Sequence, residues 1–277
     1  MPPKKRANLF PWPGSFPVPT GDDHVRARRT TGRRSRGPDD DLARLVFADW
    51  LEETARPAAI ARARFIRLQI ELANTSPDTA TYPQHNFDLA DEIDSLAVRW
   101  MRSWLTEFPP QVARTVWSQR LGAGAFRRGF LDGVRLSPKM FLATAPALFA
   151  AAPITSLHLH GEYSDGKMTA LFTSPYLHKL HSVRLSGGWC GDRIARRLAK
   201  CSDLGAVREL DLSGCWLSDH GALDLARSPA LARLSVLRVC RNRLTGFGVY
   251  MLASASTLSP LARFDAAENP GVRAPRW

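Results

Sequence analysis

Between residues 177 and 266, apolar side chains recur in four columns spaced 27 residues apart. Leu177, Leu204, Leu231 and Leu258 form the first column, and Leu180, Val207, Leu234 and Leu261 the second. Val183, Leu210, Leu237 and Phe264 make the third; Leu185, Leu212, Val239 and Ala266 make the fourth. All sixteen cells are apolar in a chain that is 44% hydrophobic, which random placement gives about twice in a million trials. A fixed period of this length predicts a stack of similar units, each burying its apolar face against its neighbours.

The order of residues within one period predicts the unit. From Leu231 the chain reads L-x-x-L-x-x-L-x-V-x-x-N-x-L through Leu234, Leu237, Val239, Asn242 and Leu244, followed by Gly248, Leu252 and Ala253. The preceding period supplies Leu210, Leu212, Cys215, Leu217, Gly221, Leu225 and Ala226. Alternation at Leu237 and Val239 predicts a short strand with its apolar residues on one face. The Asn or Cys that follows can bond backbone groups inside a turn shut off from water. Gly221 and Ala222, then Leu225 and Ala226, stand at helical spacing and predict a return helix. Ile154–His160 reads as the opening strand, and the last unit breaks off after Asn269-Pro270-Gly271. Glu162 and Gly188 stand where Asn or Cys is usual, so the first two turns are expected to be built differently.

The pattern upstream has a helical period instead. Pro38-Asp39-Asp40-Asp41 is a helix-start signal, with carboxylates available to exposed N–H groups. Leu42, Leu45, Val46 and Trp50 then predict the apolar face of a first helix, with Glu52 and Glu53 outside. Pro57 can open a second, lined by Phe65, Ile66, Leu68, Ile70 and Leu72. Ile93, Leu96, Ala97, Trp100, Met101, Trp104 and Leu105 form the stripe of a third. Phe126–Leu136 reads as a short hairpin or strand, and Phe141–Ala151 as a helix leading into the repeats. The expected fold class is α/β: a mainly helical module over residues 38–150, then a short solenoid over residues 151–277. That solenoid holds four to five units, with parallel strands on its concave side and helices on its convex side.

Two resemblances follow from these residues. The L-x-L-x-x-N/C-x-L pattern with a following helix resembles the leucine-rich repeat family in its longer, ribonuclease-inhibitor-like form. Asp39–Glu53 (DDDLARLVFADWLEE), Arg64–Gln69 (RFIRLQ), Arg128-Gly129-Phe130 and Leu148–Ile154 (LFAAAPI) resemble the bacterial, planctomycete-type repeat-companion domain. That domain is found N-terminal to leucine-rich and other repeats. Together the resemblances cover roughly residues 38–270, and the companion family implies no activity. A short helix normally precedes its Asp cluster; here that stretch is rich in Arg, Gly and Thr.

Charge adds a third region. The chain carries a net +12, and residues 1–36 hold nine Lys and Arg against Asp22 and Asp23. A Pro- and Arg-rich stretch with few aliphatic residues does not offset its ordering entropy, so residues 1–37 are expected to form a disordered basic tail. Such a tail either contacts nucleic-acid phosphates or is simply a solvated arm. Cys190, Cys201, Cys215 and Cys240 all fall in the repeats at packing positions, which favours reduced thiols and a cytoplasmic setting over disulfides. No apolar run approaches the ~20 residues that a spanning helix needs. Prolines at 11, 13, 17 and 19 break up any secretory core, so neither a signal peptide nor membrane association is expected.

Candidate chemistry is sparse. Asp49, Glu52 and Glu53 share a helix face, where solvation or local ion pairing is the expectation. His158, His160, His178 and His181 with Cys190 or Cys240 lack an orienting carboxylate motif, and the cysteine and histidine spacings match no metal site. No catalytic, cofactor or metal residues are therefore assigned. The outward strand column His158, Arg184, Asp211, Arg238 and Asp265 is the better site. Beside it run His160, Ser186, Ser213, Cys240 and Ala267. Strands stack about 4.8 Å apart, so alternating Arg and Asp would make an ion-pair ladder or a charge-patterned docking surface. Trp189 and Trp216, 27 apart at the turn, are either interface anchors or packed within it. The expected function is a non-enzymatic protein–protein scaffold or adaptor using the concave face. The alternative is nucleic-acid association through the tail. Neither a particular partner nor an oligomeric state follows from the sequence.

Overall fold

The computed structural model describes residues 41–75, 82–108, 125–186 and 191–272, with Pro110 and Ala113. The basic tail, Gly188, Trp189 and Cys190 lie outside the described residues. Among the described residues no helix is long and apolar enough to cross a membrane. The chain divides into two compact units: residues up to Asp132 with Ala150–Pro153, and Gly133–Phe149 with Ile154 onward.

The first unit holds α1 (Asp41–Glu53), α2 (Pro57–Asn74), α3 (Tyr82–Trp104) and an antiparallel hairpin, β1 (Phe126–Arg127) with β2 (Phe130–Leu131). Pro57 opens α2, where its missing N–H costs no hydrogen bond. The buried face of α1 differs from the expected one. Leu42 and Val46 are 56% and 59% exposed, and the buried residues are Arg44, Phe47, Ala48 and Leu51. Packing against α2 and the hairpin decides the phase, since the larger Trp50 is 37% exposed and Phe47 only 8%. Phe47 and Leu51 sit among Ala59, Ala63, Ile66 and Ile70 of α2, with the Phe47 ring 5.5 Å from Phe130. Arg44 joins them by laying its guanidinium 5.7 Å from the same ring.

The hairpin turn needs glycine at position 129. Gly129 has φ of +85°, and a Cβ there would run into the side chain and backbone of Ile66 on α2. Its N–H donates to Gln69 Oε1 at 2.7 Å, which fixes the turn to the helix. The acidic face of α1 is ion-paired within the unit: Arg67 binds Asp49 at 2.6 Å and also Glu52. Arg64 holds Glu92 by two bonds of 2.8 and 2.9 Å, and Arg128 reaches Asp41 at 2.5 Å.

The second unit alternates strand and helix: β3 (Gly133–Leu136), α4 (Pro138–Ala151), β4 (Ser156–His160), α5 (Asp165–Phe172), β5 (Ser182–Ser186), α6 (Gly191–Ala199), β6 (Glu209–Asp211), α7 (Asp219–Ala226), β7 (Val236–Arg238), α8 (Gly246–Ala253) and β8 (Arg263–Asp265). The six strands form one parallel sheet in chain order. Successive Cα partners are 23, 26, 27, 27 and 27 residues apart. The sheet therefore begins one strand before the expected opening strand at Ile154–His160. The shorter first offset hides β3 from a search at 27.

Of the sixteen periodic apolar residues, all are buried except Leu261 and Phe264. Those two lie at β8, which among the described residues pairs only with β7. Within the second unit, buried turns tie successive strand–helix periods together through side chains. Asn242 Oδ1 accepts from Leu217 N–H at 3.0 Å, and its Nδ2 donates to the carbonyls of Leu212 and Val239, both at 2.9 Å. Asn269 repeats this one unit on, accepting from the Asn242 and Leu244 N–H groups, each at 3.1 Å. The Cys215 thiol donates to the Leu185 carbonyl at 3.1 Å. On the helix side, Asp192 accepts from the N–H and hydroxyl of Ser218, and Asp219 does so from Thr245. Ser218 and Thr245 in turn cap α7 and α8.

Candidate functional site

Alternation along each strand sends one residue inward and the next outward. Leu157, Val183, Leu210 and Leu237 go into the core, and their outward neighbours line up across the sheet. Register makes Arg135, His158, Arg184, Asp211, Arg238 and Asp265 successive Cα partners. His160 and Ser186 pair in the next outward column. Ser213, Cys240 and Ala267 follow the ends of the shorter strands β6, β7 and β8.

The expected ladder forms at one rung. Arg184 places Nε and a terminal nitrogen on Asp211 Oδ2, each at 2.6 Å. The other carboxylate oxygen accepts from Ser213 N–H at 3.0 Å. Asp211 is only 6% exposed. Burial raises its pKa, but the bonds from Ser213 and Arg184 outweigh that and hold the carboxyl below its ordinary range. Arg238 turns away from the column to Glu209, at 3.9 Å. Asp265 bonds the Ala267 N–H at 3.1 Å. Hydrogen bonds from Cys240 and Ala267 hold its carboxyl below the usual range as well. An aspartate accepting from the N–H two residues on is a local turn, and it competes with pairing across strands.

The other end of the column is cationic. Arg135 was not among the residues the 27-residue period put on this face. Alternation alone would have found it, since Val134-Arg135-Leu136 has the same inward–outward pattern as Leu157-His158-Leu159. His158 Nε2 lies 2.6 Å from Ser186 Oγ. Burial first, then the charges of Arg135 and Arg184, push the His158 imidazole down to about 4. Burial and Arg135 lower His160 too. The two rings stand 6.4 Å apart, edge to face.

These values bear on chemistry. A histidine near 4 is neutral at pH 7 but a weak proton acceptor, so its bond to Ser186 does little to activate that hydroxyl. His160 and Cys240 are three strands apart, roughly 14 Å at the usual strand spacing, and do not meet. Burial and Asp265 push the Cys240 thiol up, away from the reactive thiolate. Among the described residues, no group of three or more His, Cys, Asp or Glu side chains is placed to hold a metal ion.

Trp216 is both packed and open. It sits in the turn with φ of +66° and is 41% exposed. The Arg243 guanidinium, one period on, lies 3.8 Å from its ring centroid.

Compared with known proteins, the chain matches no family model and no curated protein.

Proposed function

We propose that the second unit is a short leucine-rich repeat solenoid of the ribonuclease-inhibitor-like type, and that the first is a repeat-companion module. On this reading the chain is a non-enzymatic scaffold or adaptor that binds a protein partner through the outward strand face. The observation that carries it is the aligned column of polar and charged side chains running across all six strands. A regular row of that kind offers a partner donors and acceptors at strand spacing. The 27-residue register and the Asn and Cys turn bonds support the repeat assignment. For the module, the support is that Arg64, Arg67, Gln69 and Arg128, all within the resemblance, make the bonds that hold its helices and hairpin together.

Capture of partners from source-cell lysate tests the reading. Tagged full-length chain is compared with a His160→Glu/Arg238→Glu variant, which spares the buried Asp211. A partner kept by the former and lost by the latter, with unchanged circular dichroism and melting, is the expected result. Equal capture by both would sink the strand face as a binding site.

A further inference from the structure

The charges on the strand face are segregated by end. On β6, β7 and β8 both signs are present: Asp211 is held by Arg184 and the Ser213 N–H, Asp265 accepts from the Ala267 N–H, Glu209 stands 3.9 Å from Arg238, and Arg263 lies exposed on β8. On β3, β4 and β5 the outward residues are Arg135, His158 and Arg184, with His160 and Ser186 beside them. Asp211, the nearest acid along the column, is already occupied by Arg184 and Ser213. Arg184 still has more than half of its side chain exposed. Arg135 is in no ion pair among the described residues, and its Nε is buried without a hydrogen-bond partner.

We propose that this end of the face, Arg135 with His158, His160, Arg184 and Ser186, receives the carboxylates of an acidic segment on a partner protein. The assignment rests on reading the face as a protein-binding surface and names the partner's chemistry there. Arginine is a strong partner for carboxylates, Arg184 keeps its remaining terminal nitrogen beyond the two that hold Asp211, and the strands place Arg135 and Arg184 two steps apart, about 10 Å, with His158 between them. Burial first, then Arg135, Arg184 and His160, disfavour protonation of the imidazole, against a smaller opposing pull from Asp211. An acidic protein segment fits better than a nucleic-acid strand. A phosphodiester chain following the column would run on to Asp211, Glu209 and Asp265. The outward columns supply no Phe, Tyr or Trp ring for bases to stack on, and their two imidazoles, His158 and His160, stand edge to face with each other. A partner segment that is acidic at one end and mixed in charge at the other complements the whole face.

The test is titration of the full chain with a short, end-blocked glutamate-rich peptide, its glutamine twin and an oligothymidylate of matched length, at physiological salt. Arg135→Gln removes no existing ion pair, so folding is expected to survive; Arg135→Lys serves as a second variant that keeps the charge. The expected result is glutamate-peptide binding weakened about five- to tenfold by Arg135→Gln, less by Arg135→Lys, and unchanged by Arg197→Gln on α6. The His158 ring signals give a second readout: they titrate near 4 in the free chain, and that midpoint rises when the peptide is bound. The inference is overturned by no binding of the peptide, by equal affinity in wild type and Arg135→Gln, or by equal loss in Arg197→Gln. The same Arg135 dependence with oligothymidylate would overturn it too, as would a loss seen only in Arg193→Gln/Arg197→Gln on α6. A partner captured and then lost in the His160→Glu/Arg238→Glu variant would leave the binding reading standing even if this charge assignment fails.

Discussion

The carboxamide of Asn242 satisfies backbone groups from three separate stretches: Leu217, Leu212, and Val239 with Cys240. Its spacing from Val239 made this role legible in the sequence, because a buried turn needs a side chain that both donates and accepts. Asn242→Ala strands those groups away from water, at about 1–3 kcal/mol for each one left unpaired. We expect urea melts to show a loss of at least about 2 kcal/mol, and a loss within error of zero would mean that water replaces the side chain. His158 makes a pH-dependent prediction. Its folded pKa, about 4, lies below its ordinary 6.5, so the unfolded chain binds more protons between those values. The stabilising contribution is full above pH 6.5 and fades as pH falls toward 4. Allowing for partial exposure, wild type should lose on the order of 1–2 kcal/mol more than His158→Asn between pH 7 and pH 4.5. Parallel urea midpoints for the two would remove the basis for a depressed imidazole. That depression was not legible from the sequence, because it depends first on burial and then on Arg135, which a different register offset hid.

Elements differ in how far local pattern decided them. The third stripe, from Ile93 to Leu105, lies in α3 and the turn after it, with Ile93, Ala97, Met101, Trp104 and Leu105 buried. The phase of α1 went the other way, since apolar residues occur on both sides of that helix and only packing against α2 and Phe130 selects one. Strand β8 follows the repeat pattern yet is only half supported. Leu237 is fully buried between β6 and β8, whereas Phe264 is partly exposed on a strand with one partner among the described residues. Leu237→Ala should therefore cost about 3–4 kcal/mol and Phe264→Ala less than half of that, although phenylalanine is the larger side chain. Comparable losses in urea melts would mean that β8 is as well covered as the interior strands. Amide exchange gives a check at the same scale, with protection at β8 falling below that at β6 and β7.

At the scale of the whole molecule, the positive charge is divided between the first 36 residues and the repeats. Deleting residues 1–36 should abolish most of any oligothymidylate affinity and flatten its salt dependence, while glutamate-peptide binding that depends on Arg135 persists. Oligothymidylate binding that is undiminished by the deletion would relocate nucleic-acid affinity to the folded part. The sequence by itself determined the α/β alternation, the 27-residue register and the columns from His158 to Asp265, because a repeat whose core is its neighbour must write each buried position at a fixed step. Tertiary structure alone decided which face of α1 is buried, that β3 adds a sixth strand, and which acids on the strand face are already satisfied. Those outcomes depend on packing against α2 and Phe130, on a shorter register offset and on competition between local turns and cross-strand pairs, none of which has a period to read.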